Sequence, residues 1–425
     1  MLRVRVPGDK SISHRALMLA ALGDGRSRLR GLLRSADTES TAAVLRALGM
    51  PIPTLSEREV AIDGVGLGAV RAHGGGAVQL DCGNSGTTAR LVAGIVAGAG
   101  RDATFTGDAS LSRRPMRRVA APLEAMGARI TVPPHGGLPM TVRGTPLRGV
   151  TWTPEVASGQ IKSAILLAGL VADVPVEVHE RAATRDHTER MLRARGVEVR
   201  TDGLVVALVP RGRLDPCDAQ IPGDPSSAIF LAGFAALGGA SAATVAIENV
   251  GVNPSRAGGL RALVAMGAQL RYDATTDQGG EPVATVVVGP APLRGITITP
   301  DQVPGMIDEL PLLACVASCA DGETRVTGAA ELRVKESDRI AAVVANLRAL
   351  GAEADELPDG FVVRGSTRAL AGRVVTHGDH RIAMAFGVLA GLPGNAITLD
   401  DPSCVAVSYP TFWDDLQRLS RGQGQ

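Results

Sequence analysis

RALGMPI (46–52) ends an apolar helical stretch on a glycine and runs straight into a strand. The same signature returns as EAMGARITV (124–132), RARGVEVR (193–200), VAMGAQLRY (264–272) and RALGAEA (348–354). Glycine after a helix takes the left-handed C-cap conformation without steric penalty, and the residues before it are amphipathic with Arg on the wet side. The glycines are Gly49, Gly127, Gly196, Gly267 and Gly351, spaced 78, 69, 71 and 84 residues apart, and DLQRLSRGQG places Gly422 another 71 on. Six units of about 70 residues are larger than solenoid repeats and suit a repeated α/β module. Between the helix ends lie short Val/Ile/Thr runs, EVAID (59–63), VVALVP (205–210) and ATVVVG (284–289), which read as strands. An α/β fold with helices covered by sheet follows.

A second echo divides the six units. PGDKS (7–11) recurs as PGDPSSA (222–228), each time after a short strand and before a helix. Pro-Gly-Asp is turn chemistry followed by a helix cap. These turns mark crossings between two domains, near 7–9 and 222–224, with strand 2–6 completing the second domain's sheet. The N-terminal domain is expected at 8–222 and the C-terminal domain at 1–7 plus 223–425. A chain of 425 residues agrees, since single cores rarely grow beyond about 250–300 residues.

Composition narrows the function. Apolar residues make up 45% and aromatics only 2%, so the core must be aliphatic. A formal net charge of +1 argues against nucleic acid as a partner. No apolar run approaches the roughly 20 residues that span a bilayer. The opening MLRVRVPGD enters an alternating strand at once, so no leader is expected and the chain reads as cytoplasmic. The five cysteines, Cys82, Cys217, Cys315, Cys319 and Cys404, are scattered without CxxC, so neither disulfides nor a metal is expected. Of 44 basic residues only Lys10, Lys162 and Lys335 are lysine, and each sits in a polar cluster. A lysine in such a background points to a position that needs a compact ammonium rather than a guanidinium.

The clusters share one design. DKSISHR (9–15) opens a helix with Lys10 and Ser11 in its first turn and Arg15 one turn on. DCGNSGTTARL (81–91) does so with small residues and Arg90; GDASLSRRPMRR (107–118) holds Arg113 and Arg114 in a loop; ASGQIKSAILLAGL (157–170) begins with Ser158, Gln160 and Lys162. MIDELPLL (306–313) starts an apolar helix with Asp308 and Glu309. ELRVKESDRIAAV (331–343), read as a helix opening, puts Lys335 and Arg339 on one face with Glu336 beside them. HGDHRIAMAFGV (377–388) places Asp379, His380 and Arg381 before another apolar helix. Cations and free amides at helix starts bind anions. If the repeats point these starts to one side of each domain, two such faces make a cleft for several phosphates or carboxylates.

PGDKSISHRAL, GNSGTTARL, RRPMRR, SGQIKSAILLAGL, PGDPSSA, DELP, ELRVKESDRI and DHRIAMAF occur in one order. Together they resemble the 5-enolpyruvylshikimate-3-phosphate synthases (3-phosphoshikimate 1-carboxyvinyltransferases) over essentially the whole chain. The resemblance implies a two-domain inside-out α/β barrel, the enolpyruvyl transferase fold, with three βαβαββ units per domain. It implies transfer of the enolpyruvyl group of phosphoenolpyruvate to the 5-hydroxyl of shikimate 3-phosphate, without a cofactor, by a monomer. By motif, Asp308 would accept the hydroxyl proton, Glu336 would protonate the methylene, and Lys10 would touch both substrates and carry a proton. Lys10, Ser11, Arg15, Ser158, Gly159, Gln160, Arg185, Asp308 and Lys335 would hold shikimate 3-phosphate. Lys10, Gly86, Arg114, Gln160, Arg339 and Arg381 would hold phosphoenolpyruvate, with His380 behind them. Gly86 leaves room there, so glyphosate is expected to compete.

One departure stands out. Many family members carry a lysine near the C-terminus that contacts phosphoenolpyruvate, and in CVAVSYP (404–410) Val407 takes that place. Lys162 receives no role from the resemblance. The rivals are weaker. The sister enzyme acting on UDP-N-acetylglucosamine relies on a loop cysteine that GDASLSRRPM lacks. An RNA 3′-phosphate cyclase would need a nucleotide site, and GVGLGA (64–69) is a poor fingerprint for one. A P-loop is excluded because no lysine follows a glycine. A non-catalytic anion- or RNA-binding protein conflicts with the neutral balance, the scarcity of stacking aromatics and the acids inside the cationic clusters.

Overall fold

A computed structural model describes residues 1–56, 58–72, 76–240 and 243–423. The chain forms two compact units, the first of residues 10–221 with 278–281, the second of 1–9, 222–277 and 282–425. The first unit's helices are α1 (Lys10–Leu22), α2 (Ala36–Ala47), α3 (Leu67–Ala72), α4 (Gly86–Gly98), α5 (Ala109–Arg113), α6 (Arg117–Ala125), α7 (Gly159–Ala172) and α8 (His187–Arg193). The second unit's are α9 (Pro225–Ala236), α10 (Gly258–Ala265), α11 (Leu310–Ala317), α12 (Arg339–Ala349), α13 (His380–Ala390) and α14 (Phe412–Ser420).

Ten of these helices fall into two kinds. α1, α4, α7, α9, α11 and α13 are predominantly apolar and buried along almost their whole length. A helix without a wet face must be enclosed. α2, α6, α12 and α14 are amphipathic and leave one side exposed. Ala, Val, Leu and Ile fill both cores, as a chain nearly without aromatics requires.

Among the described residues each unit carries three sheets, built on one plan that two of the six keep only in part. In the first unit, strands Val78–Asp81 and Ala103–Thr106 pair in parallel across α4. Met140–Arg143 and Arg129–Thr131 then extend that sheet antiparallel. Val150–Trp152, Val176–His179, Val205–Val209 and Glu198–Asp202 repeat the plan around α7. In the second unit Thr297–Ile298, Glu323–Val326, Gly360–Arg364 and Glu353–Leu357 repeat it around α11. Ala371–Val374 and Ala396–Leu399 give the parallel pair alone around α13. A parallel pair needs a crossover, and the buried helix supplies it.

The remaining two sheets exchange their first strands. Leu2–Arg5 leads into α1 but pairs with Val245–Gly251 of the second unit. Ala219–Gln220 leads into α9 but pairs with Arg26–Arg30 of the first. Both exchanges occur at the Pro-Gly-Asp turns, which bond reciprocally: Asp9 N–H to the Pro222 carbonyl at 2.8 Å and Asp224 N–H to Pro7 at 2.9 Å.

The glycine signature has a common cause. Gly49, Gly127, Gly196, Gly267, Gly351 and Gly422 all have positive φ, from 71° to 111°. In every case the glycine N–H bonds three residues back and the next N–H bonds five back, at 2.8–3.1 Å. This is the Schellman motif six times over. In three copies the Arg preceding the glycine by three reaches past it: Arg46, Arg193 and Arg348 donate from Nε to the carbonyls of Ile52, Val199 and Ala354 at 2.7, 2.7 and 2.6 Å. The helix end and the following strand are thereby locked together.

Two further contacts hold the first core. α4 runs so close along α7 that a Cβ on Gly94 would fall 2.2 Å from the Ala164 carbonyl oxygen, and one on Gly98 2.7 Å from that of Ala168. A buried chain of short hydrogen bonds joins α1, α2 and α4: His14 Nδ1 to Thr41 Oγ1 at 2.6 Å, Thr41 to Thr88 Oγ1 at 2.6 Å, and Thr88 to Ser85 Oγ at 2.7 Å.

Gly94→Ala is expected to destabilise by about 3 kcal/mol or more, because the obstruction is backbone rather than a movable side chain. Gly351→Ala meets nothing within 4 Å and bears only the left-handed strain, about 1–2 kcal/mol. Urea unfolding ranks the two, and the reverse order would show that α4 and α7 separate freely. His14 gives a pH test. Burial, against the pull of Asp37 and aided by Lys10 and Arg15, lowers its pKa from 6.5 to about 3. The unfolded chain therefore takes up a proton that the folded one refuses. Stability present above pH 6.5 is lost as pH falls towards about 3, at about 1.4 kcal/mol per pH unit. His14→Gln should flatten that slope in urea titrations, and an unchanged slope would refute the assignment.

Candidate active site

In the first unit the starts of α1, α4 and α7 come together. Lys10 opens α1 and is paired with Asp37 of α2. Arg15, one turn on, is buried and donates to Thr188 Oγ1 at 2.7 Å, Ser163 Oγ at 2.8 Å and the Ser11 carbonyl at 3.0 Å. A buried guanidinium needs such acceptors. Ser85 caps α4 by accepting from Thr88 N–H at 3.2 Å, which leaves Gly86 as its first residue. Arg90 donates to Gln160 Oε1 at 2.8 Å, and Gln160 returns a bond to Thr87 Oγ1 at 3.0 Å. Gln160 thus ties the first turn of α7 to that of α4.

Gly86 stands against two guanidinium groups. A Cβ there would lie 2.7 Å from Arg90 Nη1 and 3.4 Å from Arg114 Nη1. The segment holding Arg114 is not wholly loop, as the sequence suggests: Asp108 accepts from Leu111 N–H at 2.7 Å and caps the one-turn helix α5. Arg114 follows directly, its Nη2 on Asn84 Oδ1 at 2.8 Å, and Asn84 is held by Asp108 at 2.6 Å. Ser158 and Gly159 lie at the entry to α7. A Cβ on Gly159 would sit 3.1 Å from the Arg185 carbonyl, so the loop before α8 packs directly on this turn.

In the second unit Asp308 is the meeting point. Lys335 Nζ and Arg339 Nη1 each lie 3.3 Å from Asp308 Oδ1. Arg339 also reaches Glu336 Oε2 at 2.7 Å and grips Asp379 twice, through Nε at 2.8 Å and Nη2 at 3.2 Å. Burial works against the charge on Arg339, but Asp379, Glu336 and Asp308 hold its pKa above the ordinary value. Asp379 meets the same burial penalty, and Arg339 keeps it below the usual carboxylate range. Asp379 caps α13 through Arg381 N–H at 2.9 Å. The Arg381 side chain donates to the Ser226 carbonyl at 2.7 Å and lies 5.8 Å from the centre of the Phe230 ring. His380 is buried beside Asp379.

One expectation fails here. Residues 335–338 are not the opening of a helix: α12 starts at Arg339, capped by Asp338, whose Oδ1 accepts from Ala341 N–H at 3.1 Å. Lys335 and Arg339 approach each other because both face Asp308, not because a helical turn aligns them. Val407 closes a 3₁₀ turn, Pro402–Val407, and is half-buried.

Sequence reasoning missed Arg256. Its Nη2 donates to Asp224 Oδ1 and Ser226 Oγ, both at 2.9 Å, and lies 3.4 Å from Asp9 Oδ2. Ser226 donates in turn to Glu309. Burial opposes its charge, yet Asp9 and Asp224 hold its pKa above the ordinary value. One guanidinium therefore joins both Pro-Gly-Asp turns to the residue beside Asp308. Nothing in NPSRAG (253–258) signals this, because the partners are remote in sequence.

Lys10, Ser11, Arg15, Gly86, Arg114, Ser158, Gly159, Gln160 and Arg185 belong to the first unit. Asp308, Lys335, Glu336, Arg339 and Arg381 belong to the second. Among the described residues no helix is long and apolar enough to cross a membrane.

Residues 2–416 match the family described as EPSP synthase (3-phosphoshikimate 1-carboxyvinyltransferase). A 3-phosphoshikimate 1-carboxyvinyltransferase of Alkalilimnicola ehrlichii is 48% identical over 411 residues, covering 96% of this chain and 91% of its own. One from Gloeobacter violaceus is 48% identical over 419 residues, covering 98% and 96%. The solved EPSP synthase of Acinetobacter baumannii superposes with a TM-score of 0.85 at 41% identity, over 98% of this chain and 95% of that one. By sequence and by fold, this chain belongs to the EPSP synthase (3-phosphoshikimate 1-carboxyvinyltransferase) family.

Proposed function

We propose that this protein transfers the enolpyruvyl group of phosphoenolpyruvate to the 5-hydroxyl of shikimate 3-phosphate and releases inorganic phosphate. The observation that carries the proposal is the cluster around Asp308, where two acids suited to proton transfer, Asp308 and Glu336, lie with Lys335 and Arg339. Anionic substrates need the cations; the chemistry needs the acids.

Asp308 takes the proton of the 5-hydroxyl as its oxygen bonds to C2 of phosphoenolpyruvate. Glu336 delivers a proton to the methylene carbon, giving a tetrahedral adduct that carries both carboxylate and phosphate. Loss of a methyl proton and cleavage of the C–O bond to phosphorus's oxygen then release phosphate and restore the double bond. Lys10 touches both substrates and shuttles a proton, which an always-charged guanidinium does not do. Lys10, Ser11, Arg15, Ser158, Gly159, Gln160, Arg185, Asp308 and Lys335 hold shikimate 3-phosphate. Lys10, Gly86, Arg114, Gln160, Arg339 and Arg381 hold phosphoenolpyruvate, the planar arginine forks matching its two anions. The protein acts as a cytoplasmic monomer.

Phosphate release from phosphoenolpyruvate should depend strictly on shikimate 3-phosphate, and Glu336→Gln should lower kcat by roughly 10²–10⁴-fold. Release without shikimate 3-phosphate, or wild-type turnover in the variant, would sink the assignment. Gly86→Ala gives a second test, since its methyl group meets Arg90 Nη1 at 2.7 Å and must displace it. The KM for phosphoenolpyruvate should rise roughly tenfold, inhibition by glyphosate should weaken, and the KM for shikimate 3-phosphate should hold. Equal changes in both KM values, or undiminished wild-type turnover in millimolar glyphosate, would count against the placement of Gly86.

A further inference from the structure

The Lys162 backbone N–H donates to the Ser158 carbonyl at 3.3 Å, but its ammonium meets acids outside the proposed site. It is 1% exposed, one turn into α7, with Nζ 2.8 Å from Glu180 Oε2 and 2.6 Å from Glu189 Oε1. Glu180 follows strand Val176–His179, and Glu189 lies in the first turn of α8. Thr184, between them, donates to the other oxygen of Glu180. One buried ammonium therefore gathers both ends of segment 180–189 onto the start of α7.

The same segment is gripped at two neighbouring points. Gly159 packs closely on Arg185, where a Cβ would lie 3.1 Å from the carbonyl oxygen, and Ser163 Oγ meets Thr188 Oγ1 at 2.8 Å. Thr188 in turn receives Arg15. Arg15 and Arg185, two of the cations assigned to shikimate 3-phosphate, thus depend on how this segment lies.

The charge balance makes the clamp sensitive. Two carboxylates face one ammonium. Burial drives the Glu189 pKa up, against the pull of Lys162, and among the described residues its Oε2 meets no hydrogen-bond donor. Burial also opposes the charge on Lys162, but Glu189 and Glu180 outweigh it and its pKa rises. Removing the ammonium would leave two buried carboxylates that must be hydrated or protonated, and either outcome opens the segment. An arginine is a poor replacement, because a wide planar fork does not fit a closed slot between two converging acids.

We propose that Lys162 is a positioning residue for shikimate 3-phosphate, setting segment 180–189 against the first turn of α7. This rests on the function proposed above. The test is steady-state kinetics in both substrates, with melting temperatures, on wild type, Lys162→Met, Lys162→Arg and the double variant Lys162→Met/Glu189→Gln. The double variant loses the excess negative charge and serves if Lys162→Met does not fold. The KM for shikimate 3-phosphate should rise roughly tenfold or more in each, with kcat at saturation and the KM for phosphoenolpyruvate little changed. Lys162→Arg should not rescue. A merely structural role would lower apparent kcat with the folded fraction and leave both KM values alone. That result, or a double variant with wild-type melting and wild-type KM for shikimate 3-phosphate, overturns the proposal. A wild type without shikimate 3-phosphate-dependent phosphate release would instead overturn the proposed function, so the two failures are distinct.

Discussion

Six apolar helices enclosed by sheet place one demand on the whole chain: their first turns must be satisfied without bulk water. Each helix start carries amides that no carbonyl of the helix can reach. Ser85, Asp224 and Asp379 answer with side-chain caps on α4, α9 and α13. A helix start with such unspent amides, beside a lysine or arginine, is also an anion site. The repeat brings α1, α4 and α7 to one meeting point in the first unit, and Ser226, Glu309 and Arg381 join α9, α11 and α13 in the second. In the proposed site, the demand of the fold and the demand of anionic substrates would fall on the same helix starts.

The second unit shows how such a design avoids collapse of opposite charges into inert pairs. Arg339 is shared among Asp308, Glu336 and Asp379, with Asp379 taking the bidentate share and also capping α13. Asp379 is therefore the fixed partner. Asp308 and Glu336 keep one contact each from Arg339, and their side chains are more exposed than that of Asp379. Beneath them Arg256 repeats the pattern, sharing one nitrogen among Asp9, Asp224 and Ser226. Buried ions of this kind add little net stability, but losing one partner strands the others. They fix where Asp308 sits.

What the sequence disclosed depended on the range of the interaction. The six glycine-ended helices were legible because the Schellman bond closes within six residues and needs left-handed φ at one of them. The pairing of Leu2–Arg5 in the second unit's sheet was legible because the turn repeats; the return of Ala219–Gln220 to the first was not read. Arg256 was not, since Asp9 lies 247 residues away and Asp224 32. Nor was the closeness of α4 to α7, where Gly94 reads like any helical glycine until Ala164 is beside it. The helical reading of 335–338 erred by extending a local period through Asp338, which caps the helix instead of belonging to it. Motif order supplied most of the candidate site because the residues proposed to contact substrate cluster in short runs. The residues that hold those runs in place do not.

The three lysines show where that boundary falls. Each is paired with acid: Lys10 with Asp37, Lys335 with Asp308, and Lys162 with Glu180 and Glu189. Yet their exposure differs. Lys10 and Lys335 keep 18% and 28% of their side-chain surface open, whereas Lys162 keeps 2%. An open, acid-paired ammonium can exchange its carboxylate for a substrate anion; a closed one can only hold protein to protein. Arginine serves buried acid clusters too, at Arg256 and Arg339, so what sets the lysines apart is a compact, rotatable ammonium rather than burial or acidic neighbours. In the proposed site two of them would meet substrate, and the third holds the segment behind it.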